Sequence, residues 1–516
     1  MAKSSSSAAI GKLDLAAGRL AAPGVIVGLA LATVTLLALM LRLYDLDTAS
    51  LWSDEAFSGH WIHRSLAYLW TDGLVIETTP PLYYMLLKIW AALVGDGDFQ
   101  LRLFSALASA ATVPLIFLIG FEMAGAMVGL AAALIFALAP MQIAYAQEAR
   151  VYSLVPLFYG LALLGLFRFV RAALAETPRR RSDDMALALY AVGAVLLIYA
   201  HATSVFTVAA LCLCAGGLLL ARRGRWALPR FILANAVVAV LSVPQLYAIL
   251  QQAGRFDMTW VQKPDLIGLL NLVTHLLVDP VTPLTLFRVS CIIALAAALM
   301  LAITSAWLRP GRLVGTLLVG VPAIFLVAVI AVSYISPFLI PRIIIWIGLP
   351  VALLAAMALL GPAPRLVRAG FALALVVCIG VGLQGVYLRT PGSKEDWRGL
   401  MASLLPQLGP EDMLVIGPET SILPMLRYAG GAFDDNGREI FRWEPRPRQP
   451  DLYVPAHIQP PIAVDNAALS EAARQGRRIW LLMRSSDWQQ NVEAAAKLDP
   501  PPVVDRSHPM LVQMRW

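Results

Sequence analysis

An adjacent acidic pair, Asp54 and Glu55 in the segment LWSDEAF, follows the first long apolar run by about a dozen residues. Carboxylates at an apolar rim suit a general base and a binder of cations or hydroxyls, because partial burial tunes their pKa values. An ordinary helix start explains the same residues, with Ser53 as N-cap and the two acids in the first turn. Both interpretations stay open on these residues alone.

A second group of candidates surrounds the double proline in VIETTPPLYYMLLKIW. Glu77 precedes the prolines, and Tyr83 and Lys88 follow them on a helix that the prolines are expected to start. These side chains suit the headgroup of a lipid substrate. A simple interfacial anchor is the alternative.

A third group, Glu148, Arg150 and Tyr152, follows an apolar run in APMQIAYAQEARVYSL. Charges at the mouth of a membrane span are costly unless they are paired or functional. A guanidinium matches phosphate oxygens, so Arg150 is a candidate for a phosphate contact. A structural pair between Glu148 and Arg150 is the alternative.

Four single residues complete the candidates. Arg342 stands at the predicted outer start of a span, where a positive charge needs an anionic partner, and a lipid phosphate is the preferred one. His201 ends another span, where a lone histidine also serves as a packing residue. Arg255 and Trp260 lie in a loop over residues 251–284 that could cover the site, although Trp260 also suits the aromatic belt.

The elements that must position these residues are membrane spans. The chain of 516 residues is 59% hydrophobic and only 14% charged, against roughly 25% charged residues in soluble domains. The net charge of +7 comes from basic clusters between apolar runs, which is the positive-inside pattern and argues against nucleic acid as a partner. About 11 apolar runs have spanning length, near residues 22–41, 101–121, 127–146, 152–171, 185–201, 203–221, 230–250, 285–307, 313–333, 343–361 and 368–387.

Basic loops then assign the sides of the membrane. The clusters at residues 179–181, 222–230, 309–312 and 365–368 all become cytoplasmic only if the short run at residues 80–94 does not cross. That run is therefore predicted to lie along the outer surface as an amphipathic helix, with its two tyrosines and its tryptophan at the interface.

Three regions follow from this topology. The outer loop over residues 42–100 carries the acidic pair, and the Pro-rich tail has strand-like runs at residues 413–416, 479–483 and 511–514, which predict a small α/β domain. The predicted regions are a cytoplasmic N-terminal segment (1–21), a transmembrane domain (22–388) and a periplasmic soluble domain (389–516).

The order of these motifs resembles the GT-C glycosyltransferases, in the branch that contains the protein O-mannosyltransferases and the bacterial lipid A aminoarabinose and galacturonic acid transferases. The matching segments are LWSDEAF (51–57), ETTPPLYYMLL (77–87), FQLRLFSALASAATVPL (99–115), YAQEARVYSL (145–154), PRIIIWIGLP (341–350) and KEDWR (394–398). The close resemblance covers roughly residues 40–220. Where many relatives have histidine or lysine before the double proline, this chain has Thr79.

The resemblance implies a multi-span transferase of the bacterial inner membrane that uses a polyprenyl-phosphate sugar. It implies Asp54 as catalytic base, with Glu148 or Arg150 at the same centre. We expect inverting transfer to a lipid, glycan or protein acceptor, with Glu55 as a second carboxylate. The donor phosphate is expected at Arg150, Arg342 and Lys88. The expected substrate contacts are Glu77, Tyr83, Tyr152, His201, Arg255 and Trp260.

Metal dependence and two other classes of function stay open. No cofactor follows for certain from the sequence, but Asp54, Glu55 and Glu148 offer the oxygen ligands that a divalent metal prefers, with Asp54 and Glu148 the first candidates. A lipid flippase or other transporter is the main alternative, although no inverted repeat is evident and the charges collect on one face. A non-catalytic scaffold is the third. The four cysteines lie in apolar runs and predict buried packing rather than disulfides.

Overall fold

The structure is a computed structural model that describes most of the chain between residues 24 and 388 and parts of the segment after it. The described residues are 24–175, 180–221, 224–252, 261, 263–278, 284–306, 308, 311–388, 395–409, 412–417, 421–429, 453–454, 462–463, 471, 474–483, 503–508 and 510–515. Arg255, Trp260 and the predicted cytoplasmic segment 1–21 lie outside the described residues.

Helices dominate the described chain. In chain order they are α1 Gly24–Leu43, α2 Ser53–Trp61, α3 Leu66–Trp70, α4 Asp72–Ile76, α5 Leu82–Val94, α6 Asp98–Ala124, α7 Ala126–Leu138, α8 Pro140–Ala146, α9 Leu154–Leu174, α10 Arg181–Ala200, α11 Ser204–Ala221, α12 Leu228–Gln252, α13 Leu266–Leu277, α14 Leu284–Ala306, α15 Arg312–Gly315, α16 Val321–Ile335, α17 Gly348–Leu360, α18 Arg365–Tyr387, α19 Trp397–Leu404 and α20 Ile422–Ala429. Short 3-10 segments cover Val151–Ser153, Arg225–Ala227, Pro341–Ile347 and Leu405–Gln407, and a π segment covers Thr316–Gly320.

The multi-span architecture predicted from composition is confirmed. Among the described residues, nine helices are long and apolar enough to cross a membrane, and α7 with α8 forms a tenth, bent candidate. The eleventh predicted run coincides with α14, which has 23 residues. Apolar length alone therefore located the nine candidate spans and the bent pair.

One predicted span is broken rather than continuous. The run expected at residues 127–146 folds as α7 and α8, which are bent by 57°. Pro140 begins α8, and Ala139 before it is extended with ψ 118°. Proline lacks an N–H donor and disfavours a helical conformation in the preceding residue, which explains the break.

Helix α5 is too short to span, as predicted, but its tyrosines are not at an interface. With 13 residues it is about 20 Å long, against a hydrocarbon core of about 30 Å. Tyr83 and Tyr84 are fully buried. The Tyr83 ring packs on Phe104 with centroids 5.9 Å apart, and the Tyr84 ring packs on Trp61 at 5.4 Å. The expectation that both tyrosines anchor in lipid headgroups is wrong, because protein covers them.

The chain divides into two compact units. Unit 1 comprises residues 1–44, 77–83 and 103–389 and holds most of the spans. Within it, α9 and α10 pack closely because both carry glycine at the contact. A Cβ on Gly165 would lie 2.4 Å from the backbone nitrogen of Tyr190, and one on Gly193 would lie 2.6 Å from that of Ala162. Small residues allow such approaches between membrane helices.

Unit 2 comprises residues 45–76, 84–102 and 390–516, so it joins the predicted outer loop with the C-terminal segment. Its described strands are β1 Met413–Gly417, β2 Tyr453–Val454, β3 Ile462–Ala463, β4 Ile479–Met483, β5 Val503–His508 and β6 Leu511–Arg515. They form one sheet with the order β3-β2-β1-β4-β6-β5. Strands β1 and β4 are parallel neighbours, and β5 and β6 are antiparallel. The three predicted strands are β1, β4 and β6, so that prediction is confirmed.

Candidate functional site

The acidic pair lies in the first turn of α2, in unit 2. The helix begins at Ser53, so Trp52 occupies the N-cap position rather than the serine expected from the sequence. Asp54 is partly exposed, whereas Glu55 is fully buried. Successive residues on a helix point about 100° apart, which gives the two neighbouring carboxylates different surroundings.

Glu55 forms a buried ion pair with Arg102. Its two carboxylate oxygens accept from Nε and Nη2 of Arg102, both at 2.7 Å. Glu55 also accepts from the backbone N–H of Trp52 at 3.3 Å, which ties down the start of α2. A fully buried carboxylate in a bidentate pair is held in place rather than presented to a substrate.

Arg102 fastens the segment before α2 as well. Its Nη1 donates to the carbonyl oxygens of Leu46 and Ala49, at 3.0 and 2.6 Å, and its Nη2 donates to that of Ser50 at 3.0 Å. With Glu55, all of the nitrogens of the guanidinium are engaged. Arg102 therefore fixes the segment before α2 and the first turn of α2, which carries Asp54.

Lys88, the third predicted phosphate ligand, also lies in unit 2. Its ammonium donates to the carbonyl oxygen of Ile62 at 2.8 Å, just after the end of α2. This contact ties α5 to the segment that follows α2.

A second cluster lies in unit 1 around the ring of Tyr152. Arg342, in the 3-10 segment Pro341–Ile347, donates from Nη1 to the Tyr152 hydroxyl at 3.0 Å. The guanidinium carbons of Arg342 and Arg150 lie 5.7 and 6.0 Å from the centroid of the same ring. The structure thus brings together two predicted phosphate ligands that are 192 residues apart in the sequence.

The positive charge of the two arginines acts on the neighbouring His201. Its ring centroid lies 6.3 Å from that of Tyr152. Burial, with the charges of Arg342 and Arg150, lowers the pKa of His201 to about 4. Its Nδ1 faces the Thr203 hydroxyl at 2.8 Å and accepts weakly from the Thr203 N–H at 3.4 Å. His201 is therefore neutral near pH 7, and the positive charge of the cluster belongs to the arginines.

Thr79 connects Arg150 to Glu77. Nη2 of the buried Arg150 donates to the Thr79 hydroxyl at 3.0 Å, and the Thr79 N–H donates to a Glu77 carboxylate oxygen at 3.1 Å. The Glu77 carbonyl in turn accepts from Gln252 at 2.6 Å. Thr79, which the sequence marked only as a departure from related chains, is thus a structural part of the cluster.

The other predicted site residues of unit 1 lie around the same segments. The Tyr83 hydroxyl lies 3.3 Å from that of Ser105, which donates to the Arg150 carbonyl at 3.0 Å. The carbonyl of the partly buried Glu148 accepts from the Arg150 N–H at 2.8 Å. Tyr83 and Glu148 therefore adjoin the backbone of Arg150. Within the described part of the chain, no group of three or more His, Cys, Asp or Glu side chains could hold a metal ion.

Sequence reasoning overlooked Arg102, although a signal was present. A charged residue inside an apolar run of membrane character needs a partner, and Arg102 lies five residues into α6. That rule predicts an acidic partner without identifying it. Glu55 lies 47 residues earlier, and only the fold brings the two together.

Comparisons with known proteins agree with this architecture. A family model described as dolichyl-phosphate-mannose-protein mannosyltransferase matches residues 78–248, about a third of the chain. That range includes Thr79, Arg102, Arg150 and His201. No curated protein matches the sequence.

Solved structures match over nearly the whole chain. The apo crystal structure of ArnT from Cupriavidus metallidurans superposes with a TM-score of 0.56 at 14% identity, covering 94% of this chain and 97% of that one. The structure of the same protein bound to undecaprenyl phosphate gives 0.57 at 14% identity, covering 96% and 98%. The archaeal oligosaccharyltransferase AglB from Archaeoglobus fulgidus gives 0.48 at 11% identity, covering 92% and 71%.

The fold is therefore similar to that of ArnT, which agrees with the resemblance of the motifs. The family match adds a similarity in sequence to dolichyl-phosphate-mannose-protein mannosyltransferases over residues 78–248.

Proposed function

We propose that the protein transfers a sugar from a polyprenyl-phosphate donor to an acceptor hydroxyl at the periplasmic face of a bacterial inner membrane. The observation that carries the proposal is the pair of guanidiniums, Arg150 and Arg342, that both lie within about 6 Å of the Tyr152 ring centroid. Guanidinium groups match phosphate oxygens in geometry and charge. The ArnT structure bound to undecaprenyl phosphate supports a lipid phosphate as the ligand.

In the proposed reaction, Asp54 accepts the proton of the acceptor hydroxyl while its oxygen attacks the anomeric carbon. The bond from that carbon to the phosphate oxygen breaks, and the phosphate leaves with the bonding electrons. Arg150 and Arg342 compensate the second negative charge that the released phosphate gains, so that no strong acid is needed on the leaving group. Inversion at the anomeric carbon follows from a single displacement.

Three residues change role in this proposal. Glu55 positions Asp54 through Arg102 rather than touching the substrate, because it is fully buried. His201 stays neutral and leaves the arginine charge for the phosphate. Lys88 is a weaker phosphate candidate, since its ammonium already binds the Ile62 carbonyl. A divalent metal at Asp54 or Glu148 stays a prediction, and activity that survives exhaustive chelation would rule out a required one.

The main experiment incubates the purified protein in nanodiscs with a panel of polyprenyl-phosphate sugars and acceptors. We expect one donor to release free polyprenyl phosphate only when an acceptor is present. Asp54→Asn should lower kcat about 10²- to 10⁴-fold, the typical effect of losing a general base. Asp72→Asn is the matched control, because Asp72 also stands in the first turn of a helix of unit 2 and is exposed. Full activity of a folded Asp54→Asn protein would refute the role of Asp54.

Binding of the donor tests the phosphate site separately. Arg342→Gln should raise the Kd of polyprenyl phosphate roughly 10- to 100-fold, the equivalent of one charge-assisted hydrogen bond. Arg365→Gln, an exposed cation at the start of α18, should leave the Kd unchanged. The transporter alternative predicts movement of the donor across vesicles without release of polyprenyl phosphate.

A further inference from the structure

Three side chains of the C-terminal segment donate hydrogen bonds to the carboxylate of Asp98. Its Oδ2 accepts from Arg398 Nη2 at 2.7 Å, and its Oδ1 accepts from Arg427 Nε at 2.8 Å and lies 2.7 Å from Arg427 Nη2. The Tyr428 hydroxyl also donates to Oδ2. The Asp98 side chain is only 8% exposed. We call these four residues the Asp98 cluster.

Tyr428 links this cluster to the segment that leads into α2. Its hydroxyl accepts from the backbone N–H of Leu51 at 2.7 Å while donating to Asp98. Burial and the hydrogen bond to Asp98 raise the pKa of Tyr428, which keeps the hydroxyl protonated as a donor. Leu51 is fully buried and stands three residues before Asp54. One hydroxyl therefore connects the C-terminal segment to the approach to Asp54.

A second contact at the start of the C-terminal segment fixes the neighbouring residue. The Ser50 hydroxyl donates to the Glu395 carbonyl at 2.7 Å and accepts from the Trp397 N–H at 2.9 Å. Trp397 is fully buried. Ser50 and Leu51 are thus both held by groups that lie more than 340 residues later in the chain.

Arg427 reaches the far half of α2. A Cβ placed on Gly59 would lie 3.0 Å from Arg427 Nη1, so the helix surface and the guanidinium are in close contact there. Helix α2 is held before its first turn by Tyr428 and in its last turns by Arg427. A Cβ at this position would need only a small shift of the guanidinium, so Gly59 marks a close approach between α2 and Arg427.

The Asp98 carboxylate is largely buried, whereas Arg398 and Arg427 are 42% and 20% exposed. A buried carboxylate needs its partners, so these contacts fix Asp98 and the groups bonded to it in one arrangement. Positional precision matters at a catalytic group, because a displacement of about 1 Å can cost about 10²-fold in rate.

We propose that the Asp98 cluster is a positioning device through which the C-terminal segment sets the placement of α2 and its Asp54. The proposal rests on the proposed function, because it gives the C-terminal segment a part in the chemistry of Asp54. It makes Tyr428, Arg398 and Arg427 positioning residues rather than catalytic ones.

The test uses the full chain in nanodiscs with Tyr428→Phe, which removes only the bridging hydroxyl. We expect kcat to fall roughly 10- to 100-fold, with the KM for the donor changed by less than about twofold, because the donor phosphate site is untouched. Amide hydrogen exchange at residues 51–55 should accelerate, since the segment loses its anchor. Arg398→Gln, which removes a guanidinium that is 42% exposed, provides a second variant expected to fold and to act in the same direction.

Arg478→Ala is the matched control. It breaks another Arg–Asp pair of the C-terminal segment, Arg478 with Asp412 at 2.9 Å, and should change neither kcat nor exchange at residues 51–55. Unchanged exchange and unchanged kcat in both cluster variants would overturn the proposal, as would an equal effect of the control. Hydrogen exchange decides the coupling even if no donor proves active, so failure of the proposed function and failure of this inference are distinguishable.

Discussion

Arg102 and Glu55 illustrate how one buried pair can decide the roles of two adjacent acids. Glu55 is fully buried against a guanidinium that also binds three backbone carbonyls, whereas its neighbour Asp54 is partly exposed. Removing one partner of a buried pair leaves an uncompensated charge in a dry environment, which is strongly destabilising. Breaking the pair of Glu55 and Arg102 should therefore lower the stability of the protein, whereas a substitution of Asp54 should leave the stability nearly unchanged.

We predict that Arg102→Met lowers the free energy of unfolding by about 3–5 kcal/mol, because it strands the Glu55 carboxylate. Asp54→Asn should leave that quantity within about 0.5 kcal/mol of the wild type, as is usual for substitutions outside a packed core. Unfolding in mixed micelles with increasing SDS provides the measurement. The control is Glu471→Gln, which breaks an exposed pair with Arg474 and should cost at most about 1 kcal/mol. Equal losses for Arg102→Met and this control would contradict the buried-pair argument.

His201 gives a prediction about pH. Its pKa in the folded protein is about 4, below the ordinary value of 6.5, so the unfolded chain binds the proton more tightly. Its contribution to stability is complete above about pH 6.5 and is lost as the pH falls toward 4. We expect the thermal midpoint to drop between pH 7 and pH 5, and His201→Asn to reduce that drop. An identical drop in the variant would show that other groups are responsible.

The chemistry of single residues was only partly predictable. The sequence selected Arg150, Tyr152 and Arg342, and the structure places them in one cluster. The burial of Glu55 was not predictable, because Asp54 and Glu55 are both acidic and their residue types do not show which of them lies on the covered face of α2. Asp98 and Tyr428 were missed for a similar reason, since 330 residues separate the two partners.

Close packing between α9 and α10 depends on two glycines that face opposite helices. A Cβ on Gly193 would lie 2.6 Å from the backbone nitrogen of Ala162, and backbone cannot rotate away as a side chain can. The helices themselves were predictable from apolar length. Their spacing was not, because hydropathy does not distinguish a glycine at a helix contact from one that faces lipid.

We predict that Gly193→Ala destabilises the protein by about 1–3 kcal/mol through overpacking, despite the better helix propensity of alanine. Gly217→Ala, in α11, is the control, because a Cβ there meets nothing within 4 Å. That variant should be neutral or slightly more stable. Thermal unfolding of both variants in the same detergent provides the comparison, and a Gly193→Ala protein as stable as the control would exclude a tight contact.

The break between α7 and α8 marks the limit of span prediction. A run of apolar residues gives the length of a helix but not its straightness, and Pro140 bends this one by 57°. Pro114 and Pro244 also interrupt apolar runs, yet α6 and α12 continue through them. The presence of a proline in an apolar run is therefore not enough to predict a break in the helix.

Membrane sidedness at the broken span and at α14 can be measured directly. In a background without the native cysteines, single cysteines would replace Ala124 and Gln147 on either side of α7 and α8, and Lys263 and Gly311 on either side of α14. We expect an impermeant maleimide to label one member of each pair in intact spheroplasts. Labelling that separates one pair but not the other would show that only one of the two segments crosses the membrane, contrary to expectation.

The Asp98 cluster constrains the number of times that the chain crosses the membrane between its members. Asp98 begins α6 and binds Arg398 in α19, so both ends of the intervening chain lie on the same side of the membrane. The number of crossings between them must therefore be even. Eight described helices in that interval are long and apolar enough to cross. When all eight cross, the bent pair α7 and α8 and the helix α14 must both cross or both fail to cross, so one carboxylate ties the topology of two distant segments to each other.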